Sequence, residues 1–274
     1  MNVAVQRKAV KQIRLRRVEK NRGQTMAKRL SEASVDDYEE LQHAIQEASG
    51  CACAQEAAQK FVDVIYERYC DSLVLLRLFT TVRYDELPEE DRRFVDGRGR
   101  DTNTTHLIHA ATPIFTLLGT RGANPEWNDR RASAHFRCIP LASTAFISSL
   151  SMLSRQFESV GFDLSLIDDW EMKVAAAGRA DRYRGMLSIG DAGIDRDTQG
   201  RMIVPKQDFV AASCVKSTFG FGSGYRGYPA LVTLFVFTNE KVERPVVEPF
   251  SDLLEAYISL TEALVGHGRY FEGN

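Results

Sequence analysis

The chain has 274 residues, of which 44% are hydrophobic, 26% charged and 9% aromatic, and its formal net charge is −2. That balance excludes disorder, collagen and low-complexity repeats, and the length suits one large or two small globular domains. The longest apolar runs, such as Ala230 to Phe237, fall far short of the ~18 residues a bilayer crossing needs, and no charged-then-apolar signal opens the chain, so a cytoplasmic protein is expected.

Residues 1–30 carry ten Lys or Arg against Glu19 alone, a local charge of +9 that leaves the remainder near −11. A basic arm of this kind binds nucleic acid or an anionic membrane surface by counterion release, or is simply a solvated tail. It has no aromatic residue to stack a base and no apolar stripe to enter a lipid interface, which favours the tail and disfavours a nucleic-acid partner. Met26 is an alternative start, under which residues 1–25 are not part of the native chain. The arm is assigned to 1–33 and a single domain to 34–274.

From Asp36 the pattern is helical, with Tyr38, Leu41, Ile45 and Ala48 on one stripe and acids in the first turn, up to Ser49-Gly50. A second helix is predicted over Gln55 to Tyr69, burying Ala58, Phe61, Val62, Ile65 and Tyr69. The short loop between them holds Cys51 and Cys53, which bind metal or sense oxidation if exposed, and otherwise pack. Five cysteines without regular spacing do not form a disulfide framework, so reduced thiols are the default. Leu73 to Phe79 is apolar on both faces except at Arg77 and reads as a central strand. Asp85 to Thr105 reads as a charged connection whose carboxylates are solvated. Just after it His106 and His109 lie three apart, but no regular Cys/His set completes a metal site.

A second strand is predicted from Pro113 to Leu118, stopped by a turn at Gly119-Thr-Arg-Gly122. A loop over 123–135 leads to a short third strand ending at Pro140. Ser143 or Thr144 caps one helix through Phe146, Ile147, Leu150, Leu153, Phe157 and Val160, ended by Gly161. Residues 162–205 are weakly patterned, with strands near Arg184–Ile189 and Gly200–Val204, and form a flap. Lys206 to Ala212 is a short helix, followed by Cys214, read as a buried thiol. Val215–Phe221 and Ala230–Thr238 pair as an antiparallel hairpin turned by Gly222-Ser-Gly224. Gly222 to Gly227 fits the G-x-G-x-x-G string, yet a strand and not a helix leaves it, so a hairpin turn is preferred to a dinucleotide site. An amphipathic helix from Pro249 to Val265 closes the chain. This order gives an α+β fold: an antiparallel sheet of about five or six strands, helices mainly on one face and flap loops on the other.

Several segments together resemble a known group. Leu118-Gly-Thr-Arg-Gly122, Pro125-Glu-Trp-Asn-Asp-Arg130, Cys138-Ile-Pro-Leu141, Gln199 to Phe209 and Val215 to Gly222 look like a GAF-like bacterial sensory module of the kind found at the input end of sensor histidine kinases. The resemblance spans about residues 50–265. It implies a GAF/PAS-like fold, a ligand cavity between sheet and flap, and dimerisation through terminal helices. It also implies signalling to a partner such as a sensor kinase of a two-component system. Nine residues follow Val265, so a stand-alone module is expected.

The expected recognition surface is the loop from Arg121 to His135, which gathers Arg121, Trp127, Asn128, Arg130 and His135 between two strands, where ligand-recognition groups tend to sit. The structural alternative is that Trp127 plugs the open face of the sheet while Asp129 pins Arg130 or Arg131 locally. A non-enzymatic sensor or adaptor is the leading reading, with the cofactor unassigned. An enzyme using the Trp127–His135 cleft, or a nucleic-acid-associated protein acting through the arm, are the alternatives.

Overall fold

The computed structural model describes residues 27–47, 50–101, 104–169 and 183–272. Most of the basic arm, Ala48-Ser49 at the end of the first helix and the middle of the expected flap lie outside the described residues. Two amphipathic helices come first, α1 (Val35–Glu47) and α2 (Ala54–Tyr69). Strand β1 (Leu73–Arg83) is followed by α3 (Glu89–Asp101) and β2 (Pro113–Gly122). After β3 (Cys138–Pro140) come α4 (Thr144–Ser149), α5 (Ser151–Ser159) and β4 (Arg184–Ile189). The short α6 (Gln207–Ala212) precedes the hairpin β5 (Ser217–Gly224) and β6 (Leu231–Thr238). A single turn, α7 (Arg244–Val247), leads into α8 (Phe250–Gly266).

The six strands form one antiparallel sheet in the order β3-β2-β1-β6-β5-β4, which is the α+β class expected. Side chains alternate between its faces, so each inner strand feeds two hydrophobic layers. On the first face Leu76, Leu78, Leu118, Leu234 and Val236 pack beneath α1, α2 and α8. On the second face Leu75, Phe79, Phe115, Phe235 and Phe237 meet α4, α5, α6 and the intervening loops. The longest helices thus share one face, while short helices and loops cover the other.

Both ends of the described chain are tied to the first face. The N–H of Leu30 donates to the Ser72 hydroxyl at 2.7 Å, and Leu30 is fully buried. At the other end the carbonyls of Arg269 and Tyr270 accept from the N–H groups of Ala54 and Gln55, each at 2.9 Å. These are orphan donors at the start of α2, where Cys53 supplies no side-chain cap.

Several local expectations are corrected. The charged connection contains α3, with Glu89, Glu90 and Asp91 in its first turn and Arg98 and Arg100 in its last, a placement that suits the helix dipole. Its carboxylates are not all solvated, because Asp91 is fully buried. Gly119 to Gly122 is not a turn but the end of β2. A Cβ on Gly119 would lie 2.4 Å from the Ala58 carbonyl oxygen, so the glycine lets α2 approach the sheet. Gly222-Ser-Gly224 likewise stays in strand, and the hairpin turns further on, where Gly227 has φ 78°. The helix expected over 144–160 breaks at Leu150, where the Ser151 hydroxyl donates to the carbonyls of Met202 (2.8 Å) and Ile203 (3.2 Å). Residues 200–204 form no strand, only a bridge between Arg196 and Met202. Cys214 is exposed rather than buried. It holds φ 54° just past α6, with the Val215 N–H returning to the Val210 carbonyl at 3.0 Å, the left-handed position of a helix C-terminus usually given to glycine.

Candidate functional site

The second face is not completely filled. A chamber of about 420 Å³ lies over the β1, β2 and β6 strands, within the usual size range of small-molecule sites. Its floor is the apolar row Leu75, Phe79, Phe115, Phe235 and Phe237, with Arg77 set into the middle. One wall is Trp127 and the segment Ala132 to Phe136; the other is the elbow between α4 and α5 together with Val204 to Phe209. The rings are held by one another. Phe79 stacks on Phe115 with centroids 4.7 Å apart, and Phe209 stands edge-on to both Trp127 and Phe237 at 5.5 Å.

Arg77 is the unusual member. Its register partners are Thr120 on β2 and Phe235 on β6, which puts it at the centre of the sheet. Strand alternation groups it with Leu75 and Phe79 and turns it to the chamber. Its Nε is inaccessible and has no hydrogen-bond partner, and no carboxylate lies within ion-pair distance among the described residues. Burial pushes the guanidinium down from its usual range to about 10, which leaves it charged at neutral pH. The remaining ionisable lining groups, His135, Lys206 and Asp208, are exposed at the mouth.

Arg77 is half-buried, and the arginines buried more deeply among the described residues are all paired. Arg130 donates from Nε to the Leu117 carbonyl and from a terminal nitrogen to Asp91, both at 2.6 Å, and lies over the Phe271 ring at 5.3 Å. Arg137 approaches the second Asp91 oxygen at 2.5 Å, as an ion pair without hydrogen-bond geometry, and bonds Glu90 at 2.6 Å. Arg68 meets Asp37 and Glu40. A buried guanidinium in this protein therefore ordinarily has a carboxylate, as its desolvation demands.

Of the five loop residues read from the sequence, two line the chamber. Trp127 forms a wall and His135 stands at the rim. Asn128 is a brace, its Oδ1 accepting from the Gly122 N–H at 2.8 Å, while the Thr120 hydroxyl donates to the Trp127 carbonyl at 2.8 Å. Arg121 lies over Tyr66 at 5.6 Å with Asp63 at 3.6 Å, and Arg130 is bound to Asp91, so neither arginine lines the chamber. The acid that pins Arg130 comes from α3 and not from neighbouring Asp129, which instead accepts from the Arg131 N–H at 2.8 Å. Asp168 also has a local task, accepting from the N–H and hydroxyl of Thr144 at the start of α4. The floor arginine was absent from the expected set. Its signal is a lone charge in an otherwise apolar central strand.

Among the described residues no group of three His, Cys, Asp or Glu side chains is placed to hold a metal ion, and no helix is long and apolar enough to cross a membrane. The chamber gathers apolar surface and one cation in its interior, with the titratable lining groups at its mouth.

No protein-family model matches the sequence, and neither does any curated protein. Thirteen chains of solved structure match the fold. One is the crystal structure of the GAF domain from an Acinetobacter phosphoenolpyruvate-protein phosphotransferase, at 10% identity over 86% of this chain and 95% of that chain, with a TM-score of 0.41.

Proposed function

We propose that residues 34–274 act as one GAF-like sensory or regulatory module that binds a small molecule in the second-face chamber without transforming it. The observation that carries this reading is the chamber itself: a cavity of about 420 Å³ floored largely by aromatic rings around a cation that has no counter-charge within ion-pair distance among the described residues. Close packing is the rule in protein interiors, and an open chamber of this size leaves large apolar side chains against water that a ligand would release. Ligand would favour one arrangement of the α4–α5 elbow and the 204–209 segment, a population shift set by its differential affinity for the two arrangements. A signalling protein such as a sensor kinase, or a second copy of this chain meeting it through the terminal helices, would then receive the change.

The test is occupancy by a neutral environment-sensitive probe. N-phenyl-1-naphthylamine should gain fluorescence on binding and raise the melting temperature. Leu150→Trp, which fills the chamber from the helix elbow, should abolish both effects while the far-UV circular dichroism is unchanged. Probe binding that survives this filling would place the ligand elsewhere and overturn the reading.

A further inference from the structure

Given the chamber reading, on which this inference rests, the lining also selects a class of ligand. We propose that the chamber takes an organic monocarboxylate with a flat or extended apolar body, its carboxylate on Arg77 and its body between Trp127, Phe115 and Phe235.

Four features select this class. The guanidinium of Arg77 is the one charge set into the apolar floor, and it has no carboxylate partner among the described residues, whereas Arg68, Arg130 and Arg137 each have one. A ligand carboxylate would supply the missing partner. The residue is arginine, whose planar fork matches the two oxygens of a carboxylate, and whose weaker hydration makes it the cation best suited to a half-buried position. The charge count is one. A phosphate monoester carries close to two negative charges at neutral pH, which one guanidinium on an apolar floor does not balance, and the exposed Lys206 at the mouth is matched by exposed Asp208. The walls are apolar, and 420 Å³ holds roughly ten to twenty non-hydrogen atoms. The body is thus larger than acetate or pyruvate and carries few polar groups of its own.

Displacement of N-phenyl-1-naphthylamine measures this directly. Octanoate and 3-phenylpropionate are compared with octanamide and 3-phenylpropanamide, which keep shape and lose charge, and with phenyl phosphate, which doubles the charge. In the natural protein each carboxylate should displace the probe at about tenfold lower concentration, or less, than its amide, as a charge-assisted bidentate contact predicts. In Arg77→Met the two should become equal while the neutral probe still binds, and Arg77→Lys should recover only part of the preference. Equal displacement by acid and amide in the natural protein, or a preference that survives in Arg77→Met, overturns the carboxylate assignment and leaves the chamber standing. A stronger effect from phenyl phosphate overturns it in favour of a phosphoryl ligand. Failure of the neutral probe itself to bind overturns the chamber reading and this inference together.

Discussion

Replacing Arg77 by methionine should make the unliganded protein more stable. Burial alone holds the guanidinium at about 10, between two and three pH units below its ordinary value. At roughly 1.4 kcal/mol per pH unit, that depression amounts to a desolvation cost of about 3 kcal/mol. Contact of the side chain with the open chamber screens part of this, and about 2 kcal/mol is a fair working figure. Methionine keeps the length and most of the apolar stem, so lost packing returns about 1 kcal/mol at most. The net expectation is a gain of about 1–2 kcal/mol, or a rise of roughly 2–6 °C in melting temperature for a domain of this size. The sign with pH follows from the direction of the shift. A depressed arginine disfavours the charged form in the folded state, so the deficit of the natural protein is present at all pH values below about 10 and is relieved only as pH rises past it. The difference between the two proteins should therefore be flat from pH 6 to 9. Urea unfolding followed by circular dichroism at pH 7 and pH 9 gives both numbers. A variant less stable than the natural protein by 1 kcal/mol or more would mean that the guanidinium holds the fold together, and the reasoning from an unpaired charge would be wrong.

Three further outcomes are expected. Gly119→Ala should destabilise the protein by about 3 kcal/mol or more, because its Cβ meets the backbone oxygen of Ala58 at 2.4 Å and neither α2 nor the central sheet can retreat cheaply; calorimetry checks this. Asp91→Ala should cost about 3–5 kcal/mol, since it strands the buried Arg130 and Arg137, and adding Arg130→Met should recover part of the loss in a double-mutant cycle. Burial opposes ionisation of Asp37, but Lys28, the N–H and hydroxyl of Ser34, and Arg68 outweigh it and hold the carboxyl at about 2 against 3.8. A lowered folded-state value contributes stability that is present above pH 3.8 and lost as pH falls towards 2. Asp37→Asn should thus cost about 2 kcal/mol at pH 7 and little at pH 2, read from urea midpoints along the pH series.

The layers of this fold are legible in the sequence because their signal is periodic. Tyr38, Leu41 and Ile45 announce a buried helical stripe, and Leu73 to Phe79 announces a strand enclosed on both faces. What the sequence conceals is any assignment that depends on a distant partner. Charged residues at ten of the sixteen positions from Asp85 to Arg100 mask α3, and with α3 hidden there is no reason to expect Arg130 to leave the loop for a buried acid 39 positions away. The loop 121–135 supplies Trp127 and His135 to the edge of the chamber, but its arginines serve the fold. The serines around Leu150 held a local clue to the helix break, since short hydroxyl side chains compete for backbone groups. The Ser151 bonds to residues 202–203 that exploit the break are visible only in three dimensions.

One strand carries both halves of the design, and this bears on why a charge with no partner among the described residues persists in it. Leu76 and Leu78 of β1 face the three long helices, where Phe61, Tyr69, Phe250 and Tyr257 are buried almost completely and both chain ends are fastened. Arg77, lying between them in sequence, faces the chamber. A residue that costs stability is tolerated when the surrounding structure has stability to spare, and such residues concentrate where a fold meets its ligand. The helix-covered face supplies that reserve, and the loop-covered face holds the void and the charge. Segments that must rearrange around a ligand belong to the less stable part of a protein. The α4–α5 elbow and the 204–209 segment lie on that face, away from the helices that anchor the chain. Amide exchange should register this division directly: slow throughout α2, α8 and the central strands, fast in the elbow and in 204–209, with protection of those two segments rising when the chamber is filled.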